Sequence, residues 1–412
     1  MKRLNRIQVF GLGWVLSLPC VAQADSFSDQ RDVVRELGKL TEPPSMMEAK
    51  GFEPRDGMRP ILFDALDYEG KLTKVFAWLG IPANSSGKVP GIVLVHGGGG
   101  TAFPEWVSKW IGHGFAAISI AVEGQTDQTD PAFKDQHNPR GWKRHDWRGP
   151  RRDGIYGDTE AALKNQWMYH AVADTVLANS LLRSLPEVDA ENVGVMGISW
   201  GGVITSTVMG LDSRFAFAIP TYGCGNLAEA GNQYGRALGE NEVYKQVWNP
   251  MLYLKKAGMP ALWLSWPGDQ HFPLDKQAAS YEAMKGEAMV ALIPEMRHGH
   301  GAGWNPPDSY AFAKSVVEEG RPWCLQVKTR RKGRVVEAVF DSTRLLDSAT
   351  LISTTDTGIT GSREWVESAA ILEKRGDKWT VTSALQKGST SWFVNVRSGP
   401  LTASSKYVEI SP

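Results

Sequence analysis

Between residues 60 and 320, short uninterrupted apolar runs alternate with stretches whose apolar positions recur at helical spacing. KLTKVFAWLGIP (71–82), VPGIVLV (89–95), FAAISIAV (115–122), NVGVMG (192–197), FAFAIPTY (215–222), ALWLSWP (261–267) and MVALIPEM (289–296) read as strands. WVSKWIGHG (106–114), the run 165–185 closed by Pro186, and segments 202–210, 274–285 and 308–319 read as helices between them. Strands that are apolar throughout need cover on both faces, and strands separated by helices pair in parallel. The expected fold class is α/β, a doubly wound, mostly parallel sheet. Residues 28–41 add a short amphipathic helix, ended by Pro43-Pro44.

Two segments break this rhythm. Residues 124–166 are long and polar, yet carry Trp142, His145, Trp147, Arg148, Arg151, Arg152 and Tyr156. Loops of such length in compact domains are commonly functional lids. This one leaves the sheet after 115–122, at the carboxyl edge where open α/β sheets bind ligands. Trp142 and Trp147, with Tyr222 at the end of a later strand, are therefore candidate substrate-binding residues; the plainer alternative is a solvated loop tacked down by its tryptophans. From Leu325 onward, short β-type runs (RVVEAVF, ATLISTT, SAAILEK, KWTVTSAL, SWFVNVR, KYVEI) are separated by RGDK, KGST and RSGP turns. They predict a small all-β, sandwich-like domain over 325–412, after a catalytic domain over 25–324.

Residues 1–24 read as a cleaved signal peptide: Lys2, Arg3 and Arg6, an apolar run too short to span a membrane, then Ala22-Gln23-Ala24. Pro19 and Ser17 around Cys20 fit a lipobox poorly. The expected location is periplasmic or secreted. The mature chain keeps Cys224 and Cys324, which admit one disulfide or two buried thiols, not a disulfide-built fold. Lys and Arg together number 45, as do Asp and Glu, so no electrostatic footprint for nucleic acid is present. Sixteen tryptophans is a high count; some belong to the core, and a surplus also suits a site that stacks on sugar rings or other flat ligands. No cofactor is expected, and no cluster has metal-ligand spacing: on a strand, His298 and His300 would face opposite sides.

The stretch GVMGISWGG (194–202) places Ser199 between Gly197 and Gly201 directly after an apolar strand. Glycines flanking a serine at that spacing fit a strained strand-to-helix turn that leaves no room for side chains. The alternative is an ordinary glycine turn with a surface serine. A serine hydroxyl needs a base, and the base an orienting acid. Asp269 follows ALWLSW and His298 follows MVALIPEM, in the order and at the strand ends such a triad requires; His300 is the rival base. Gly299 is expected to turn the loop between them. The developing oxyanion needs backbone N–H donors. Trp200, after the serine, is one candidate, and Gly98 or Gly99 in HGGGG (96–100) supplies the other. That glycine run could instead cradle phosphate, but no Lys-Ser/Thr follows it.

VDAENVGVMGISWGG, GDQHFP and MRHGHG resemble the α/β-hydrolase superfamily, in its dienelactone-hydrolase, acetyl xylan esterase and prolyl-oligopeptidase-like branch, over about residues 60–320. The resemblance implies Ser199 as nucleophile, Asp269 as acid and His298 as base. Dienelactone hydrolases use a cysteine nucleophile, so the serine points towards esterases. The expected activity is an exported serine carboxylester hydrolase of the acetyl xylan esterase kind, acting on a small-molecule or polysaccharide ester without a membrane span. The alternatives are a prolyl-oligopeptidase-like peptidase, disfavoured by the short segment before the first strand, and a non-catalytic binding module.

Overall fold

In the computed structural model, residues 27–83, 87–136 and 138–410 are described; the signal-peptide reading of 1–24 falls outside them. The strands begin with β1 (Met46–Glu48), β2 (Met58–Tyr68), β3 (Lys71–Gly80), β4 (Val89–Val95) and β5 (Ala116–Ile120). They continue with β6 (Gln125–Thr129), β7 (Trp142–Arg144), β8 (Val188–Ile198), β9 (Ala218–Thr221), β10 (Ala261–Ser265) and β11 (Ala288–Leu292). The run β5-β4-β8-β9-β10-β11 is parallel, and β1, β2 and β3 extend it antiparallel beyond β5. Its strands are buried almost end to end, as their unbroken apolar runs require. Helix Trp167–Ser184 is also buried on nearly every side, which explains why its sequence lacks a polar stripe. Among the described residues, no helix is long and apolar enough to cross a membrane.

The C-terminal region is all β, as its pattern predicts. Four strands, β12 (Cys324–Lys332), β13 (Val335–Ser342), β16 (Ile371–Arg375) and β17 (Lys378–Ala384), form an antiparallel sheet of their own. The others, β14 (Ser348–Thr354), β15 (Val366–Ala369), β18 (Ser391–Ser398), β19 (Leu401–Ser404) and β20 (Val408–Glu409), continue the central sheet. The junction is β19 against β11, antiparallel with Val290 opposite Ser404. Side chains reinforce it: Leu292 N–H donates to Ser404 Oγ (2.8 Å), and Asn395 Nδ2 donates to the Leu292 carbonyl (2.9 Å).

The long polar segment is not structureless, since β6 and β7 pair as an antiparallel hairpin within it. Cys224 and Cys324 are both buried and unbridged.

Candidate active site

Four parallel strands deliver the site. β4 runs into Gly97–Gly100, β8 into Ser199, β10 into the loop of Asp269, and β11 into the loop of His298. All four emerge at the same carboxyl edge, where ligand sites of open α/β sheets lie.

Ser199 sits at the end of β8 with φ 60° and ψ −116°, capping the helix Trp200–Val208. Positive φ on a non-glycine residue is strained and must be imposed by the surroundings. The flanking glycines show how. A Cβ on Gly197 would lie 2.0 Å from the Gly201 carbonyl oxygen, and one on Gly201 would lie 2.0 Å from that of Val95. The turn therefore closes only with bare glycines on both sides, and Ser199 N–H is tied to the Thr221 carbonyl (2.9 Å).

On one side of Ser199 stand His298 and Asp269. Asp269 Oδ2 lies 2.9 Å from His298 Nδ1, while its Oδ1 accepts the backbone N–H groups of His271 (2.8 Å) and Phe272 (3.0 Å). The carboxylate is 1% exposed, so both oxygens are committed inside the protein. The imidazole lies between rings, with the Tyr222 centroid at 4.4 Å and a stacked Phe272 at 5.9 Å. The chain bends at His298 and Gly299, as expected, although Gly299 itself is extended (φ 167°); positive φ falls on Glu295 (60°) and Arg297 (63°). The C-terminal region reaches this wall as well. In the turn Thr360–Ser362, Thr360 Oγ1 accepts the Leu274 N–H (2.8 Å). Beside it, a Cβ on Gly361 would lie 2.1 Å from the Asp269 carbonyl oxygen.

The other side is the glycine turn. Gly100 N–H donates to the Gly97 carbonyl (3.1 Å), and Gly99 takes φ 68°, the left-handed position that favours glycine in such turns. Two histidines pin it. Val122 N–H donates to His96 Nε2 (3.1 Å), so the proton resides on Nδ1, which donates to the Gly97 carbonyl (2.7 Å). Gly97 N–H donates to His300 Nε2 (2.9 Å). Burial first of all holds both imidazoles neutral, lowering His96 to about 3 and His300 to about 4. The rival base thus faces Gly97, while the imidazole bonded to the acid is that of His298. The 124–166 segment completes the brace: Gln125 Nε2 donates to the Gly100 carbonyl (3.0 Å) and Trp142 Nε1 to that of Gly99 (2.9 Å).

Between these walls lies a cleft of about 330 Å³, lined by Gly98, Gly99, Ser199, Trp200 and His298 together with Gln136, Pro139, Arg152, Tyr234 and His271. Three expected substrate contacts lie elsewhere. Tyr222 is fully buried beneath the His298 ring, and its hydroxyl donates to the Arg297 carbonyl (2.5 Å). Trp142 supports the glycine turn, and Trp147 is exposed beside Phe52 and Phe76, away from the cleft. What this segment contributes to the cleft instead is Arg152, whose guanidinium lies over the Trp200 ring (5.2 Å) and pairs with half-buried Glu123 (3.4 Å). Burial pushes the Glu123 carboxyl up, and Arg152 opposes that. The mixture of arginine and tryptophan in 142–152 signalled a contribution from this segment; nothing local singled out Gln136, Pro139, Tyr234 or His271.

Comparison with known proteins agrees with this architecture. The family description Acetyl xylan esterase (AXE1) matches residues 52–225, and the Prolyl oligopeptidase family matches residues 153–313. An acetyl xylan esterase from Paenibacillus sp. R4 superimposes with TM-score 0.51 at 20% identity, over 68% of this chain and 92% of that one. Acetyl xylan esterase 1 from Thermoanaerobacterium sp. JW/SL YS485 gives TM-score 0.51 at 18% identity, over 66% of this chain and 89% of the other. A probable dipeptidyl-peptidase 5 from Aspergillus terreus is 28% identical over 160 residues, 38% of this chain; the match spans only 19% of that relative's length. The chain belongs to the α/β-hydrolase superfamily.

Proposed function

We propose that the protein is an exported serine carboxylester hydrolase that removes acyl groups, acetyl first among them, from a carbohydrate. The observation that carries this reading is the Asp269–His298 bond in the cleft that holds Ser199 on its strained turn. His298 Nε2 takes the Ser199 hydroxyl proton as Oγ attacks the ester carbonyl. Trp200 N–H and the N–H of Gly98 or Gly99 stabilise the resulting oxyanion. The intermediate collapses, His298 protonates the departing alcohol, and the acyl group remains on Ser199. Water, giving a proton to the same imidazole, then attacks the acyl carbon; the bond to Ser199 Oγ breaks, Oγ takes the proton back from His298, and the carboxylic acid leaves. Asp269 fixes the imidazole tautomer and stabilises its charged form without itself taking the proton. The match to acetyl xylan esterases supports acetylated polysaccharide as the substrate.

The prolyl-oligopeptidase match over 153–313 favours a second reading, a serine peptidase using the same three residues. A panel of p-nitrophenyl acyl esters, acetylated xylan and proline-linked amides separates the two. Turnover of esters with inert amides is the expected result, and the reverse establishes the peptidase. In either case a fluorophosphonate should label Ser199, and Ser199→Ala should lose at least about four orders of magnitude in turnover with its fold retained. An unlabelled serine, or a variant that keeps most of its activity, removes the nucleophile assignment.

A further inference from the structure

A second cavity, of about 360 Å³, adjoins the Ser199 cleft and plays no part in the chemistry above. Three chain segments pass from one to the other within one or two residues. Gly99 lines the cleft and Thr101 the cavity; Pro139 and Arg140 divide in the same way, as do His298 and His300. Successive Cα atoms are about 3.8 Å apart, so a ridge only one residue thick separates the two. Of these ridge residues Pro139 and Arg140 are exposed, which puts the top of the ridge within reach of a ligand lying across it.

The cavity walls combine two kinds of surface. Trp142 and Trp304 are half-buried indoles. Trp304 is fixed against Phe103 (5.1 Å) and Trp106 (5.5 Å), so it is held rigid at little conformational cost to binding. Around them stand Arg55, Arg140, Glu105 and Asp127. Arg55 faces Asp127 Oδ2 at 3.6 Å, whereas among the described residues Arg140 has no ion-pair partner. Two guanidiniums and two carboxylates cancel, which disfavours an anionic or cationic ligand, while supplying donors and acceptors in plenty. A pyranose ring meets these demands: its C–H face is apolar enough to lie on an indole, and its rim carries hydroxyls that both donate and accept.

We infer that this cavity is a sugar-binding subsite, receiving a neutral pyranose unit of the same polysaccharide whose neighbouring acylated unit lies over Ser199. The inference rests on the carbohydrate reading of the site, but its test does not pass through turnover. Binding of unacylated xylohexaose, cellohexaose and mannohexaose to the Ser199→Ala protein is measured by calorimetry. At least one hexasaccharide should bind, and adding Trp304→Ala should weaken it by about tenfold or more. If Trp304→Ala lowers the melting temperature, Arg140→Ala, which removes an exposed side chain, is read in its place and should weaken binding severalfold. Absence of binding by all three sugars, or equal affinity of parent and folded variants, overturns the subsite. Failure of Ser199 to react with a fluorophosphonate would instead overturn the esterase reading while leaving the binding result to stand or fall separately.

Discussion

His298 and His300 lie two residues apart, yet they serve opposite walls of one cleft. His298 packs against the Tyr222 and Phe272 rings and has a buried carboxylate on its Nδ1. His300 accepts the Gly97 N–H, as His96 beside it donates to the Gly97 carbonyl, and burial keeps both neutral. On the mechanism proposed above, one wall exchanges a proton while the other holds still. The comparison teaches that two histidines of one loop are told apart by their partners, a buried carboxylate for His298 and a peptide N–H for His300.

Removing the proposed base should have the largest effect. His298→Ala is expected to lower turnover of p-nitrophenyl acetate by at least about four orders of magnitude with the melting temperature little changed. Asp269→Asn should follow at about 10³- to 10⁴-fold, because an amide favours the wrong imidazole tautomer. A loss under tenfold would deny the pair its role. Gly361→Val tests the support of this wall from the C-terminal region: a side chain there collides with the Asp269 carbonyl and should cost up to about 10²-fold in kcat with KM nearly unchanged. His300→Leu strikes the other wall. It deprives Gly97 N–H of its acceptor and should cost about tenfold, less than the 10²–10³ of a deleted oxyanion donor, with partial recovery in His300→Gln. Greater damage from His300→Leu than from His298→Ala would reverse the comparison.

The smallest effect lies in pH. His96 and His300 have folded pKa values of about 3 and 4, below the ordinary histidine value near 6.5. Between pH 6.5 and about 4 the unfolded chain therefore binds protons that the folded chain refuses. Their contribution to stability is complete above pH 6.5 and declines on acidification. From pH 7 to pH 4.5 the melting temperature of the parent should decline relative to that of His300→Gln; identical slopes would mean that His300 is not held neutral.

Much of this frame was legible in the sequence because it is written locally. Unbroken apolar runs marked β4, β5, β8, β10 and β11, and their ends marked where Gly97–Gly100, Ser199, Asp269 and His298 would emerge. What lines the cleft was less legible. Gln136, Pro139 and Arg152 belong to a loop whose path depends on long-range bonds such as Trp142 to Gly99, and Tyr222 carried no sign that its hydroxyl would be spent on Arg297. The pairing of β19 with β11 left no trace either. The short runs after residue 325 announce strands, but strand partners distant in sequence have no periodicity to reveal them.

That pairing also bears on the order in which the protein can assemble. Leu292 and Asn395 are bonded across 103 residues, and Leu274 and Thr360 across 86. During synthesis, Ser199, Asp269 and His298 all exist well before the strands that finish their sheet and the turn that packs against the acid. Contacts so remote form late, because their loop entropy must be overcome before they return any stabilisation. A nascent chain halted near residue 350 thus holds all three residues of the proposed triad but lacks the Thr360–Gly361 turn, and β11 stands as an open edge available to other chains. Competence for catalysis and protection from aggregation therefore arrive together, with the C-terminal strands.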